Sequence, residues 1–273
     1  MAEIVGGFGV PHVPHFPSWV VDGHPLASEI SRLYDEVATR LREAEPDTLV
    51  VFTSDHYNEF FETVPIFCVA VAESAEGASD YDTIPHRWVR FDAQLARELH
   101  AGLVRAGFDV SMSRELALDH TVIGPLHFLV PDLDVAVVPV FVSAFLRPIP
   151  SAQRCFALGR AIRELLERDG GDRRVALLAS GSFSLEIGGP WIDEGSHTGV
   201  PEPAWVERVL ELLRAGDVDT LVAESTDDQL ALAGNAGGEL LDWIAMLGAL
   251  DPRPPAFLES QPAFGHAYAA WPA

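Results

Sequence analysis

Four short runs of apolar, mostly β-branched residues constrain the fold of this 273-residue chain more than any other feature. They cover residues 48–53, 65–71, 135–141 and 175–179 and read TLVVFT, PIFCVAV, VAVVPVF and VALLA. Runs of this kind are typical of strands that are buried on both faces. We therefore expect a central sheet that is largely covered by other elements.

Helical patterns alternate with these runs. Apolar side chains recur every three or four residues over about 26–41, 95–103 and 156–166, which places them along one face of a helix. Two further helices are expected over about 203–215 and 238–250. The alternation of strands and helices predicts an α/β fold, in which helices flank the sheet. Without an internal repeat or a long linker, the chain is expected to form one layered domain over its whole length.

The charge of the chain excludes several classes of function. All 18 basic residues are arginines and 41 residues are acidic, which gives a formal net charge of −23. A field of this sign repels nucleic acid, and the lack of lysine excludes a P-loop lysine and a lysine Schiff base. No apolar run is long enough to span a bilayer, so no membrane partner is expected.

The cysteines indicate the compartment. Cys68 and Cys155 are the only two, and both lie in apolar segments. Two cysteines are too few for a disulfide framework or for a cysteine-rich metal site. The first residues also lack the basic region of a secretory signal. The sequence therefore predicts a cytoplasmic protein.

Histidines occur in unusual local settings at three places. His12 and His15 belong to PHVPH, which follows a glycine-rich apolar segment that we interpret as an edge strand. His56 follows the run TLVVFT in the motif SDH, and His120 lies in the motif DHT. The carboxyl ends of strands are where α/β sheets gather their functional groups. His12 and His56 are therefore expected to face one crevice.

Two histidines and one carboxylate would form the ligand set of a non-haem iron(II) oxygenase, which leaves coordination positions open for substrate and dioxygen. Glu239 is the candidate carboxylate, because it opens a helix in the apolar segment GNAGGELLDW, where an unpaired carboxylate is costly to bury. The residues alone leave a second interpretation open. In this second interpretation, His12 and His56 cap or bridge loops, and Glu239 interacts with the dipole of the helix that it begins.

Five segments, in this order, resemble the class III extradiol ring-cleavage dioxygenases, the family of the protocatechuate 4,5-dioxygenase β subunit: PHVPHFP, SDHYNEFF, LDHTVIGPL, RCFALGRAIREL and GNAGGELLDWIAMLGAL. The resemblance spans nearly the whole chain. It implies that His12, His56 and Glu239 ligate Fe²⁺ and that His15 is a neighbour rather than a ligand. It also implies that His120 contacts the substrate or bound oxygen, and that the chain forms a homo-oligomer.

One position departs from the family pattern. The family carries an acid-base histidine in a segment like GGxSH, and the matching residues 181–185 read GSFSL, so Leu185 stands in the place of the histidine. Leucine cannot transfer a proton, and such help is typically worth about 10²- to 10⁴-fold in rate. Three explanations compete. Glu186, His197 or His120 supplies the proton transfer, the substrate needs less assistance, or the protein has kept its metal but lost ring cleavage.

Further residues are expected to surround the site. Asp55 precedes a predicted ligand and either orients its imidazole or caps the following turn. Phe16, Phe60 and Phe61 flank predicted ligands and are expected to line an aromatic pocket. His266, near the end of the chain, is expected to be a surface or packing residue.

The sequence therefore predicts an iron(II)-dependent extradiol-type dioxygenase that cleaves the ring of a catechol or an aminophenol with O₂. His120 is the predicted catalytic residue, and His15, Asp55, Leu185 and Glu186 are candidates for contact with the substrate or the ligands. Two alternatives remain open. One is a metal-dependent hydrolase or lyase on the same scaffold, and the other is a binding subunit that pairs with an active homologue.

Overall fold

The computed structural model of the chain describes residues 1–132, 134–188 and 198–273. The strands of these residues are β1 (Glu3–Val10), β2 (Thr48–Thr53), β3 (Phe67–Ala70), β4 (Ser74–Gly77), β5 (Arg87–Arg90), β6 (Val110–Ser113), β7 (Ala136–Val142), β8 (Arg174–Ser180), β9 (Glu186–Ile187), β10 (Thr198–Gly199), β11 (Phe257–Gln261) and β12 (His266–Pro272). The α-helices are α1 (Phe16–Asp22), α2 (Ala27–Glu43), α3 (Ala93–Arg105), α4 (His120–Leu129), α5 (Ala152–Asp169), α6 (Pro203–Ala215), α7 (Val218–Glu224), α8 (Asp227–Leu232) and α9 (Leu240–Gly248). Short 3-10 turns cover Gly237–Glu239 and Pro262–Phe264.

The large sheet in the described part of the chain has eight strands in the order β11-β12-β1-β8-β2-β7-β3-β6. Its central strands β1, β8, β2 and β7 are parallel, whereas β12 is antiparallel to β1 and β3 is antiparallel to β7. Every residue of β2 and β7 is buried, as their continuous apolar runs predict. Because parallel strands end at the same edge of a sheet, the residues that follow β1, β8 and β2 meet there.

Helices cover both faces of this sheet. Val50 and Phe52 of β2 pack in a core cluster that also includes residues of α3, α5, α6 and α9. Leu49 and Val51 point to the opposite face and pack in a second cluster with residues of α2 and α4. This arrangement confirms the predicted α/β fold, with a central, largely buried sheet flanked by helices.

The prediction of an edge strand near the start of the chain is wrong. β1 lies inside the sheet, because β12 pairs with one side of it and β8 with the other. β12 reads HAYAAWP and its outer neighbour β11 reads FLESQ. Neither is a continuous β-branched run, so the apolar pattern does not predict the two strands that cover β1.

Close packing around glycines fixes the position of α9. A Cβ atom on Gly9 of β1 would lie 2.2 Å from the ring of Trp243, and a Cβ atom on Gly159 of α5 would lie 1.9 Å from the carbonyl oxygen of Ala245. No side chain fits at either position, so α9 lies directly against β1 and α5. The helix predicted over residues 238–250 is thus a 3-10 turn followed by α9, and Glu239 is held at their junction.

Two further observations concern the apolar helices and the cysteines. No helix in the described ranges is long and apolar enough to cross a membrane. Both cysteines are buried and free, and burial raises the pKa of Cys68 to about 12. This thiol therefore stays protonated and is no ready metal ligand.

Candidate active site

Three segments at one edge of the sheet bring His12, His56 and Glu239 together. His12 follows β1, His56 follows β2, and Glu239 ends the 3-10 turn before α9. The Nε2 atom of His12 lies 3.3 Å from Oε1 of Glu239, and the Nε2 atom of His56 lies 3.2 Å from the same oxygen. The two histidines thus share one site, and the carboxylate stands between them.

Glu239 is an ionised group in a fully buried position. Its exposed fraction is 0%, and its second carboxylate oxygen accepts a hydrogen bond of 2.6 Å from the backbone N–H of Ser182. Burial alone would raise the pKa of Glu239, but the neighbouring His12 and His56 lower it below its ordinary value. Burial also lowers the pKa of His56, which favours the neutral imidazole.

This donor set fits a divalent metal ion. Nε2 of His56 is buried, and its 3.2 Å approach to Oε1 of Glu239 lacks the geometry of a hydrogen bond, so within the described residues no hydrogen bond engages its lone pair. Nδ1 of His12 lies 3.0 Å from the hydroxyl oxygen of Ser180, which leaves Nε2 on the side of Glu239. Neutral imidazoles and a carboxylate are the donors that bind first-row divalent metals. The three side chains could therefore hold such an ion.

A third imidazole belongs to the same cluster. His12, His56 and His120 each offer a nitrogen that lies within 4.8 Å of the other two, so they also form a group able to bind a metal. The ring centres of His56 and His120 are 4.6 Å apart. Asp119 caps α4 and also accepts a hydrogen bond of 3.1 Å from the backbone N–H of His56. This contact ties the start of α4 to the segment after β2.

Asp80 holds the ring of His120. One of its carboxylate oxygens accepts a hydrogen bond of 2.9 Å from the backbone N–H of His120, and the other is in close contact with Nδ1. Burial alone would lower the pKa of His120, but the hydrogen bond to Asp80 and the charge of Asp119 raise it above its ordinary value. The sequence gives no signal for Asp80, because it lies in a loop and is separated from its partner by 40 residues.

Two of the candidate residues lie outside this cluster. His15 is exposed, and the centre of its ring is 5.7 Å from that of Tyr81 and 6.3 Å from that of Trp19. The carboxylate of Asp55 accepts hydrogen bonds from the backbone N–H groups of residues 58, 59 and 60. These are the contacts of a residue that caps a turn, the second of the two roles that the sequence allowed.

Backbone hydrogen bonds hold the segment around Leu185. Its N–H donates to the carbonyl oxygen of Ala233 at 2.9 Å. The next residue, Glu186, accepts a hydrogen bond of 2.7 Å from the backbone N–H of Asn235. Within the described ranges, this carboxylate has no contact with the histidine cluster. His197, another candidate for proton transfer, lies outside the described residues.

A small pocket with a free volume of about 20 Å³ and several aromatic walls lies beside His56. The centre of the Phe145 ring is 4.3 Å from that of the His56 ring, and Tyr57 and Phe60 line the same cavity. Of the two phenylalanines expected to flank His56, Phe60 lines this pocket, whereas Phe61 is 75% exposed. Phe145 lies in a loop without a periodic pattern, so the sequence did not single it out. This volume has room for about one water molecule, so the pocket supplies apolar walls beside His56 but is too small as it stands for an aromatic ring.

The chain is similar to known ring-opening enzymes along most of its length. Residues 6–269 match the family described as the catalytic LigB subunit of aromatic ring-opening dioxygenase. A 2,3-dihydroxyphenylpropionate/2,3-dihydroxicinnamic acid 1,2-dioxygenase of Klebsiella pneumoniae is 29% identical over 267 residues, which cover 82% of this chain and 83% of that protein. The gallate dioxygenase of Pseudomonas putida is 32% identical over 178 residues, which cover 64% of this chain and 49% of that protein.

A solved structure shows the same fold. The crystal structure of an uncharacterized protein of Escherichia coli K12 superposes on this chain with a TM-score of 0.61 and covers 98% of both chains. The two sequences are 20% identical, so this likeness concerns the fold alone.

Proposed function

The chain belongs to the family of catalytic LigB subunits of aromatic ring-opening dioxygenases, and on this premise we propose that it is a non-haem iron(II) dioxygenase that cleaves the ring of a catechol or an aminophenol with O₂. One observation supports a metal-dependent reaction above the alternatives. Nε2 atoms of two histidines lie 3.3 and 3.2 Å from one oxygen of a buried carboxylate. Two histidines and a carboxylate are the ligand set that leaves positions open on iron(II). Residues 1–273 then act as one catalytic domain, with a small aromatic substrate and O₂ as partners.

His12, His56 and Glu239 are the proposed ligands, in preference to the three histidines. The carboxylate of Glu239 is fully buried, and a buried anion requires a compensating cation. His120 is instead bound through Nδ1 to Asp80. Bound iron(II) would supply a Lewis acid that lowers the pKa of the substrate hydroxyl groups and a path for electrons to O₂.

His120 is the proposed acid-base residue. Its ring centre lies 4.6 Å from that of His56 and 5.5 Å from that of His12. Asp80 fixes the orientation of the ring and favours its protonated form. The imidazole can therefore give a proton to a reacting oxygen atom and later take it back. The Phe145 ring, 4.3 Å from that of His56, would shield a substrate bound at the ligands from water on this side.

Oxygen uptake tests this proposal directly. The purified chain is loaded with Fe²⁺ without oxygen, its iron content is measured, and an oxygen electrode follows turnover with catechols, gallates and aminophenols. We expect uptake of one O₂ for each ring opened. If a fully loaded protein consumes no oxygen with any of these compounds, the proposal is wrong.

Single substitutions test the ligands. His56→Ala and Glu239→Ala are expected to lose bound iron, because each removes one of three donors. His15→Ala is the matched control, since that histidine is exposed and lies outside the cluster. A full equivalent of iron with unchanged affinity in His56→Ala or Glu239→Ala would contradict the assignment. A large loss in His15→Ala would move the first ligand from His12 to His15.

Leu185 favours a second candidate function. A chain without the family's acid-base histidine could bind metal and substrate and pair with an active homologue. Ring cleavage by the purified chain alone would contradict this candidate. A hydrolase or lyase is distinguished in the same assay, because its product would form without oxygen uptake.

We also propose that the protein is a homo-oligomer in the cytoplasm. The two free, buried cysteines support a reducing compartment, and the family resemblance supports the oligomer. Light scattering coupled to size-exclusion chromatography measures the mass in solution. A mass equal to that of one chain over the working concentration range would contradict the oligomer.

A further inference from the structure

Ser180 is a buried serine whose hydroxyl group contacts three segments of the site. It ends β8, and its exposed fraction is 0%. Its hydroxyl oxygen lies 3.0 Å from Nδ1 of His12, 3.3 Å from the hydroxyl oxygen of Thr53 and 3.0 Å from the carbonyl oxygen of Thr121. Ser180 therefore contacts the first proposed ligand at the ring nitrogen that does not face Glu239.

The carbonyl group of Thr121 lacks the donor that an α-helix normally supplies. In a helix this oxygen accepts a hydrogen bond from the backbone N–H of the residue four positions later. In α4 that residue is Pro125, which has no N–H and whose ring crowds the same carbonyl group. Thr121 is fully buried, and a buried carbonyl oxygen is almost always paired. The hydroxyl of Ser180 donates to it at 3.0 Å and so replaces the missing N–H.

This hydrogen bond fixes the direction of the other two contacts of Ser180. A serine hydroxyl has one proton and two lone pairs, and a carbonyl oxygen can only accept. Because the proton is directed to Thr121, the Ser180 oxygen accepts from the hydroxyl of Thr53 and from the ring of His12. Both lone pairs are then used. Nδ1 of His12 therefore carries a proton.

A proton on Nδ1 decides which nitrogen of His12 can bind a metal ion. In the neutral ring it leaves Nε2 bare, and Nε2 lies 3.3 Å from Oε1 of Glu239, which Nε2 of His56 approaches to 3.2 Å. The opposite tautomer would donate a proton from Nε2 to Glu239, and it would have to lose that proton before the nitrogen could bind a metal. Ser180 thus opposes the tautomer that the carboxylate alone would favour.

We propose that Ser180 is a positioning residue of the metal site, whose hydroxyl keeps the proton of His12 on Nδ1 and so presents a bare Nε2 to the metal. Pro125 contributes indirectly, because it leaves the carbonyl oxygen of Thr121 to accept the serine proton. This inference rests on the proposed function and adds to it a residue that acts through a ligand.

Zinc binding tests this role apart from turnover. Zn²⁺ takes imidazole and carboxylate donors and has no redox chemistry. In calorimetry, Ser180→Ala should bind Zn²⁺ about 10- to 100-fold more weakly than wild type, the usual effect of removing a partner of a ligating histidine. Equal affinity in wild type and Ser180→Ala would overturn the inference.

Ser184→Ala is the matched control for the zinc measurement. Ser184 is also fully buried, but its hydroxyl donates to the carbonyl oxygen of Ala233 rather than contacting a histidine. This variant should bind Zn²⁺ as tightly as wild type. If it lost as much affinity as Ser180→Ala, the loss would be a general effect of removing a buried hydroxyl, and the inference would be wrong.

The position of the ring proton is a second measurement. Nitrogen-15 NMR of the metal-free wild type should show a proton on Nδ1 of His12, whether or not Nε2 also carries one. In Ser180→Ala the proton of the neutral ring should move to Nε2, where Glu239 accepts it. A merely structural role of Ser180 would not move this proton, so weaker zinc binding with the proton still on Nδ1 would contradict the inference. A bare Nδ1 in wild type would contradict it even if Ser180→Ala did not fold.

These results separate the inference from the proposed function. If the iron-loaded wild type consumes no oxygen while Ser180→Ala loses both its zinc affinity and the proton on Nδ1, the function fails and the positioning role holds. If oxygen is consumed and Ser180→Ala keeps its zinc affinity, the positioning role fails alone.

Discussion

The substitution Asp80→Asn tests how the proposed acid-base residue is held and charged. The new amide keeps an oxygen for the backbone N–H of His120, which Asp80 binds at 2.9 Å, but it removes the negative charge in contact with Nδ1. Asp80 has no described contact with His12, His56 or Glu239. We therefore expect unchanged iron content and slower turnover.

The expected loss follows from the contacts of Asp80. A hydrogen bond to a charged group contributes about 1.5–3 kcal/mol and one between neutral groups about 0.5–1.5 kcal/mol. The difference of about 1–1.5 kcal/mol corresponds to a fall of about 5- to 13-fold in kcat/KM. The side chain of Asp80 is 18% exposed, and solvent screening favours the lower end of this range.

The pH dependence of kcat/KM shows whether the lost charge of Asp80 causes the slower turnover. Asp80 raises the pKa of His120, so the protonated imidazole persists to higher pH than in an ordinary histidine. Without that charge the protonated form is lost at lower pH, and the alkaline limb of kcat/KM should move to lower pH. Oxygen uptake over about pH 5.5 to 9 measures this limb. Asp82→Asn, an exposed carboxylate two residues along, is the matched control. If kcat/KM and the pH of its alkaline limb were unchanged in Asp80→Asn, the reasoning would be refuted. A loss of iron from this variant would show that Asp80 acts on the metal ligands.

Three further substitutions have definite expected outcomes. His120→Ala should keep its iron and lose about 10²- to 10⁴-fold in turnover, and iron loss would instead favour the three-histidine ligand set. Leu185→His should reduce oxygen uptake with the substrate that wild type prefers and create weak activity on simple catechols, because the site is adapted to an apolar side chain. A large gain on the preferred substrate would contradict that adaptation. Gly9→Ala should lower the free energy of unfolding in urea by about 1–3 kcal/mol, because its Cβ would lie 2.2 Å from the Trp243 ring. Gly199→Ala, whose Cβ meets no described atom within 4 Å, should leave that free energy unchanged.

The centre of the fold could be predicted because its strands are buried on both faces. The run over Thr48–Thr53 and the amphipathic pattern over Pro203–Ala215 coincide with a strand and a helix of the structure. The outer strands could not be predicted in this way. Val110–Ser113 reads VSMS and Phe257–Gln261 reads FLESQ, and each is at most partly buried. Short strands of this kind depend on their neighbours in the sheet rather than on their own pattern.

The positions of His12 and His56 in the candidate site could be predicted, because each residue follows the end of a strand. His12 and His56 come after parallel strands, so the topology alone brings them to one edge. Glu239 reaches them only because α9 lies directly against β1, a packing that becomes visible in the structure. Asp80 and Phe145 belong to loops and contact the site over long sequence separations, for which hydrophobic periodicity carries no signal.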